Sequence, residues 1–381
     1  MEFSISIEPL HRAIKVLGIV VRTNTTDTVD AVGKILIETV DSNVVFTCNN
    51  GITAVSFTTS DVEILSSGSI AIEYNKIKTF VSSYKPWNGE SGVSNFTFIT
   101  KDRNTKIMVD NKCSNGTISK GELKITNFNS ALIIKLPIFN EVSFAMNSTI
   151  FKTATNKILY AINPQVDSSQ PILQGMNIQF NKENIFFVGS NGIVLSEYQI
   201  KNTNNCVEGN LTLQYDFIMG LRRLITQDVQ LLWDINGNKV SVTFDGIIYV
   251  GRKIIGHEFP EYKPVLDKYT DYINLSKEFL MDTLNPFMDV LDSDDNFRIT
   301  VEIKDKLMKI YNNQAIVESE LDIAGGLDFT IDLNGKLLIQ TVDAIKDNYI
   351  LFKFSNSNGF AIFDSSTFNN QKALISSIKK R

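Results

Sequence analysis

The residues most able to do chemistry are few, and their spacing falls short of a reaction. Gly246 and Gly251 have the glycine spacing of a phosphate-cradling loop, in which backbone N–H groups hold the phosphates and a following Lys-Ser/Thr adds charge and a metal-binding hydroxyl. Here Arg252-Lys253 follows instead, and the stretch alternates like a strand. Asp292, Asp294 and Asp295 begin like a calcium loop. Phe297 stands where that loop needs its turn glycine, and Ile303 where it needs a bidentate glutamate, so a solvated turn is expected. His11 and His257 are the only histidines, too few for a zinc cage or a histidine-based triad. Cys48, Cys113 and Cys206 lie far apart, without metal-ligand or disulfide-framework spacing, which fits a reducing cytoplasm. Scattered carboxylates could pair as in a glycosidase, but nothing singles out two of them. The expectation is a protein that is not an enzyme and that needs no metal and no cofactor.

The elements that position the remaining polar residues come in triplicate. Residues 44–57 (VVFTCNNGITAVSF), 185–198 (IFFVGSNGIVLSEY) and 307–321 (LMKIYNNQAIVESEL) each alternate, turn at an Asn, and alternate again. That is a hairpin signature. The anchors Gly51, Gly192 and Gln314 mark the three turns. A second element follows in the same order. Segments starting at Gly68, Gly209 and Gly326 begin as strands and switch to helical spacing. Ile77, Phe80, Val81 and Tyr84 fit one apolar helix face, as do Phe217, Leu221, Leu224 and Ile225. A helix also precedes each hairpin, burying Leu10, Ile14 and Leu17, then Phe151, Ala154 and Ile158, then Leu280, Leu284, Phe287 and Leu291. Ser148 and Ser276 are its expected N-caps in the second and third copies. Pro286 is expected to kink or break the third of these helices.

Three copies in 381 residues predict three α+β domains, 1–139, 140–267 and 268–381. No leader of basic residues followed by an apolar run opens the chain, and no apolar stretch is long enough to span a bilayer. A formal net charge of -5 argues against a protein that grips nucleic acid tightly over its whole surface.

Several stretches carry a family resemblance. Residues 170–180 (QPILQGMNIQF) followed by the turn Ser190-Asn191-Gly192-Ile193-Val194-Leu195 are similar to the start of the middle domain of the bacterial DNA polymerase III β-subunit, the sliding clamp. Residues 251–266 (GRKIIGHEFPEYKPVL), with Phe259-Pro260-Glu261-Tyr262, resemble the end of that domain, and Val32 to Ile37 echo a first-domain strand. Departures are clear. The family's turn has His and Arg where this chain has Ile193 and Val194, and its Met-Pro-Met ending is replaced by ALISSIKKR. The chain resembles a divergent clamp, of the kind a phage or mobile element could encode.

The resemblance implies a head-to-tail homodimer closing into a ring of six domains, with outer antiparallel sheets and inner helices. Those helices would meet duplex DNA without reading sequence, through Arg12, Lys15, Arg22, Lys76, Lys78, Lys152, Lys157, Arg222, Arg223, Lys277 and Lys336. Glu278, Asp282 and Asp289 dilute the third set. It also implies an apolar cleft for short peptide motifs of DNA polymerase and clamp loader, made by Leu173, Gly192, Val194, Leu195, Pro260, Val265, Leu374 and Ile378. The implied dimer joins first to last domain, with residues 116–120 expected to face residues 279–288. The implied place of work is a bacterial or infected-host cytoplasm, with no membrane partner. The rival expectations are a repeated β-rich structural or interaction protein, and a clamp that tethers transcription machinery.

Overall fold

Three hairpin turns of one geometry mark out the chain. The computed structural model describes residues 1–21, 33–89, 91–130, 136, 142–164, 170–202, 208–267, 272–291, 293, 295, 297–322, 327–354, 359–366 and 370–378. In the first turn, Asn50 Oδ1 accepts the N–H groups of Ile52 and Thr53 at 3.0 and 2.8 Å. Asn191 Oδ1 accepts those of Ile193 and Val194, both at 2.9 Å. Asn312 Oδ1 accepts those of Gln314 and Ala315 at 2.9 and 2.8 Å. In each, the Asn N–H also donates to the carbonyl three residues on, at 3.1, 3.1 and 2.9 Å. An Asn side chain bonding to backbone two residues ahead mimics a turn, so one residue type closes all three hairpins. These turns align Asn313, rather than Gln314, with Gly51 and Gly192.

The element order repeats with them. The first copy runs β1 (Glu2–Ser6), α1 (Ile7–Leu17), β2 (Lys34–Val40), β3 (Asn43–Asn49), β4 (Ala54–Thr59), β5 (Val62–Ser66), β6 (Ser69–Glu73), α2 (Tyr74–Ser82), β7 (Gly92–Lys101), β8 (Asn104–Lys112) and β9 (Ile118–Thr126). The second runs β10 (Phe144–Asn147), α3 (Ser148–Ile158), β11 (Gly175–Phe180), β12 (Asn184–Ser190), β13 (Val194–Lys201), β14 (Gly209–Gln214), α4 (Tyr215–Leu224), β15 (Gln230–Asn236), β16 (Lys239–Phe244) and β17 (Ile247–Arg252), with a short α5 (Lys263–Leu266) after it. The third runs β18 (Tyr272–Ser276), α6 (Lys277–Leu284), β19 (Arg298–Asp305), β20 (Leu307–Tyr311), β21 (Ile316–Glu320), β22 (Leu327–Asn334), α7 (Gly335–Ala344), β23 (Tyr349–Phe354), β24 (Phe360–Ser365) and β25 (Gln371–Ser376). Gly246 to Gly251 lies in the β16–β17 turn and β17, with no helix to receive a phosphate.

The chain forms two compact units, residues 1–148 with 219–252 and residues 149–218 with 253–381. In the first, one sheet has the order β5-β1-β7-β8-β9 and another the order β10-β15-β16-β17-β4-β3-β2-β6. In the second, the orders are β14-β11-β12-β13-β25-β24-β23-β18 and β21-β20-β19-β22. Ladder pairing between these strands is antiparallel throughout. Each eight-stranded sheet has a seam between copies. β4 pairs with β17 from Phe57↔Ile247 to Ala54↔Val250, and β13 pairs with β25 from Val194↔Ile375 to Tyr198↔Gln371. The strands of the second copy are thus shared between the two units.

The helices bury the faces their spacing predicts. Leu10 and Leu17 of α1, Phe151 of α3, Leu221 of α4 and Leu284 of α6 are fully enclosed. Each such side chain contributes roughly 1.5–3 kcal/mol through burial. Ser276 caps α6, its Oγ accepting the Phe279 N–H at 3.0 Å. Asn334 caps α7 in the same way through the Leu337 N–H at 3.0 Å. Ser148 does something else. Its hydroxyl accepts the Val229 N–H at 3.0 Å and donates to the Gln227 carbonyl at 3.4 Å, tying the start of α3 to the strand lead-in beside it. Pro286 ends α6: the α-helix stops at Leu284 and a 3-10 turn, Asn285–Phe287, carries the proline where no helical N–H is needed.

Candidate nucleic-acid interface and peptide cleft

In the first unit, α1 and the last turn of α4 flank a hollow of about 280 Å³ lined by His11, Arg12, Lys15, Val16, Ile19, Arg223, Leu224, Thr226 and Ile247. Cations from two different copies meet there. Arg12 is ion-paired with Asp245, donates to the Asp245 carbonyl at 3.0 Å, and lies 5.2 Å over the Phe57 ring. Its charge is therefore largely answered. Lys15 and Arg223 are exposed and pair with no carboxylate among the described residues. On α2, Lys76 pairs with Glu73 at 2.9 Å, while exposed Lys78 lies 5.8 Å from the Tyr74 ring centre. Exposed Lys336 opens α7, 5.4 Å from the Phe297 ring centre. Lys152 is half-buried on α3, and Arg222 is half-buried with a partner of its own. Arg22 lies outside the described residues.

Two of the expected phosphate-binding lysines are engaged inside the second unit. Lys277 donates to the carbonyls of Asp343 and Ile345, both at 2.7 Å, and so caps the C-terminus of α7, where the helix dipole favours a cation. Lys157 is 8% exposed, donates to Gln371 Oε1 at 2.5 Å and lies 4.9 Å from the Tyr198 ring centre. It braces α3 against β25 instead of facing solvent. It stands at the border of the apolar face of α3, at the place of buried Val16 in α1, while neighbouring Asn156 stays exposed. Burial lowers its pKa to about 8; Lys346 and Lys277 push the same way, against Asp347.

The sign of the resulting pH effect is definite. An unfolded lysine titrates near 10.4, above the folded value. Below about 8, the ammonium is charged in both states and its desolvation destabilises the fold. As pH rises from that value toward the unfolded one, the folded state sheds the proton first and the cost is relieved. Wild type should therefore gain stability relative to Lys157→Met across this window. Urea titrations at neutral and alkaline pH test it, and a pH-independent difference would show the cause to be something else.

The expected cleft residues separate into two sets. Leu173, Leu195 and Leu374 pack in one apolar layer with Ile172, Phe186, Val188, Phe259, Tyr262, Leu266 and Ile362, and Val265 packs against it. Leu195 and Leu374 are directly opposite across the β13–β25 seam. Val194 does not belong to this layer. Alternation along β13 turns it to the other face, into the core of α6, α7 and the last strands. Gly192 forms the exposed turn, with φ 86°. Pro260 is exposed beside Phe259, and Ile378 is tied by its N–H to the Asp332 carbonyl at 2.8 Å. Ile193, 49% exposed, stands at the edge of the turn.

Sequence reasoning missed the aromatics and the polar pair below them. Phe186 and Val188 lie in an unbroken apolar run, where alternation gives no sign of which face each takes. Phe259 and Tyr262 flank Pro260 in one four-residue motif, and it is these two rings, not the proline, that enter the layer. The Tyr262 hydroxyl donates to Glu197 Oε2 at 2.6 Å. Burial raises the Glu197 carboxyl, opposed by that hydrogen bond and by Lys263 and Lys372. Lys263 Nζ lies 3.8 Å from the Phe186 ring centre, a cation–π contact at the rim of the layer.

No family model and no curated protein matches this sequence. Solved structures do match, along the full length of both chains. The β subunit of DNA polymerase from Streptococcus pyogenes is similar at a TM-score of 0.84 with 17% identity. The DNA polymerase sliding clamp of Bacillus subtilis is similar at 0.84 with 14% identity. The sliding clamp of Pseudomonas aeruginosa bound to griselimycin is similar at 0.82 with 16% identity. The triplicate α+β chain therefore has, from end to end, the fold of the bacterial DNA polymerase sliding clamp.

Proposed function

We propose that the chain is a sliding clamp, a non-enzymatic processivity factor that closes around duplex DNA as a homodimer and tethers DNA polymerase and clamp loader through short apolar peptides. The observation that carries this reading is the full-length fold match to clamps, on a chain whose own hairpins repeat three times. The three copies serve as clamp domains 1–139, 140–267 and 268–381, with sheets continuing across their junctions. The proposed DNA contacts are the exposed cations Lys15, Lys78, Arg223 and Lys336, with Arg12, Lys76 and Arg222 on the same helices as the first three and Lys152 on α3. Such contacts are weak and salt-sensitive, and they suit a protein held by topology instead of affinity. No helix among the described residues is long and apolar enough to cross a membrane. The proposed setting is the cytoplasm.

Ring closure needs one more seam. β4 and β13 are second hairpin strands, and each pairs with the last strand of the next copy. Their third counterpart, β21, and the last strand of the first copy, β9, are edge strands of their sheets among the described residues. We place the dimer junction there, β21 of one protomer against β9 of its partner. Residues 279–288 form α6 and its 3-10 turn, so they offer no strand edge for this junction. The outward residues are complementary: Glu318 and Glu320 on β21, Lys120 and Lys124 on β9, with exposed Ile316 and Ile118 beside them.

The deciding experiment follows the protein on nicked circular DNA. A clamp stays bound after loading and leaves when the circle is cut, whereas a β-rich structural protein shows no dependence on DNA ends. Lys15→Ala combined with Arg223→Ala should lower the slope of log affinity against log salt by about 2, since each neutralised phosphate accounts for a slope of about 0.9. Fluorescence anisotropy with a duplex at several salt concentrations reads the slope. An unchanged slope would remove these two residues from the interface.

A further inference from the structure

The first unit carries a hollow of about 140 Å³ at the β4–β17 seam, lined in part by Asn49, Ile52, Ala54, Lys239, Val250 and Arg252. It occupies, within the first unit, the position that the apolar layer of the cleft occupies within the second. Aligning Asn50 with Asn191 pairs Val45 with Phe186, Thr47 with Val188, and Ala54 with Leu195. Val250 stands opposite Ala54 as Leu374 stands opposite Leu195. At every one of these places the first seam has a side chain no larger, and mostly smaller. Of these, Ala54 and Val250 line the hollow, where the other seam has two leucines, and Leu136 closes part of it. An apolar cavity of about 150 Å³ takes one benzene ring, so this hollow has room for one leucine- or phenylalanine-sized group.

Its polar fittings call for an anion. Lys239 and Arg252 are direct cross-strand partners on β16 and β17. Like charges directly opposite one another destabilise a sheet. Both are exposed, and neither pairs with a carboxylate among the described residues. Asn49 corresponds to Ser190, whose hydroxyl is satisfied by donating to the Val194 carbonyl at 3.0 Å. Asn49 instead leaves its side-chain Nδ2 buried without a hydrogen-bond partner. A buried unpaired donor is costly, so the wall of the hollow is less well satisfied here than at Ser190. The β4–β17 ladder ends at Ala54↔Val250 while β17 runs on to Arg252. Beyond Val250, that edge of the strand has no ladder partner among the described residues.

We infer that this hollow is a second peptide-docking site, which takes one large apolar side chain flanked by acidic side chains from a partner's extended segment. The apolar group fills the space above Ala54 and Val250. The carboxylates lie between Lys239 and Arg252. The inference extends the proposed clamp function to another seam, but the site requires neither ring closure nor an intact first cleft. An apolar hollow favours peptide over a nucleic-acid strand, whose phosphates would use the cations and leave the hollow empty.

The test uses the full-length chain carrying Ile193→Asp, so that the first cleft is impaired. The probe is a fluorescein-labelled Ser-Asp-Asp-Phe-Asp-Gly amide, followed by anisotropy. Saturable binding at one peptide per chain is expected. Arg252→Glu and Ala54→Leu, which restores the leucine of the other seam, should each weaken it by roughly tenfold or more, about the scale of a single charge-assisted or anchoring interaction. A probe with its Asp residues changed to Lys should not bind. Thermal melts confirm folding, and the surface change Arg252→Glu keeps the test valid if Ala54→Leu disturbs packing. The inference is overturned if the probe does not bind, if both variants bind it like their parent, or if the lysine probe binds equally well. It is also overturned if Arg252→Glu weakens binding of a duplex oligonucleotide while leaving peptide binding unchanged. Because no DNA loading enters the measurement, failure here leaves the sliding assay untouched, and failure of sliding leaves this binding curve untouched.

Discussion

Changing Glu318 and Glu320 together to lysine should convert the dimer to monomers at moderate salt. Both residues are on β21, whose inward neighbour Val317 packs against the core of the third copy, so the two carboxylates face out. Glu318 is held by Lys309 at 2.8 Å, an ion pair within the chain that keeps the strand's charge fixed without extending its edge. The opposing strand offers Lys120, and Lys124, which shares Glu122 with Lys106 at 3.6 and 2.6 Å respectively. The double change replaces attraction by like-charge juxtaposition on a short strand pair, and such contacts cost several kcal/mol at an interface. Light scattering during gel filtration reads the mass. Lys120→Glu with Lys124→Glu should restore the dimer when combined with the reversed strand. High salt should restore it in part, since the screening length falls from about 10 Å at 0.1 M to about 3 Å at 1 M. A reversed variant that remains dimeric at low salt would move the junction elsewhere.

Truncating Leu195 to alanine should have the largest effect on the cleft. The side chain is 8% exposed and stands across the seam from Leu374, in contact with the apolar layer. Losing it removes packing between strands of two different copies and should cost about 2–5 kcal/mol of stability. The same change should remove the floor on which an apolar peptide anchor rests, lowering affinity for polymerase-derived peptides by roughly tenfold or more, the equivalent of a hot-spot contact. Ile193→Asp separates the two effects. Ile193 is half-exposed at the turn, so its replacement should leave the melting temperature near wild type while placing a charge beside the anchor. Peptide affinity unchanged by Ile193→Asp would argue against a cleft at this turn.

Where a feature depends on near neighbours, it was legible in the residues. The hairpin turns follow from Asn50, Asn191 and Asn312, because an Asn side chain reaches its own backbone. The helix faces follow from 3.6-residue spacing, and the end of α6 follows from the missing N–H of Pro286. Three repeats of those local signals were enough to predict an α+β chain in triplicate; the resemblance to a clamp came from particular stretches, residues 170–180, the turn at Asn191 and Phe259-Pro260-Glu261-Tyr262. Ser148 departed from its expected cap role because a strand lead-in distant in sequence, at Gln227 and Val229, claims its hydroxyl.

The fate of each charge and each apolar side chain at a junction was decided only by tertiary structure. Lys15 of α1 is exposed like its α3 counterpart Asn156, whereas Lys157 stands where α1 has the buried Val16 and gives its ammonium to Gln371 of β25. Lys277 reaches the end of α7 at Asp343, 66 residues onward in the chain, and Arg12 reaches Asp245. Val194 and Leu195 are adjacent in sequence but enter different cores, because a strand turns successive side chains to opposite faces. The pairing of β4 with β17 and of β13 with β25 unites strands about 190 and 180 positions apart. Amphipathic spacing says that a face must be covered or left open; which distant strand does the covering depends on how the whole chain closes.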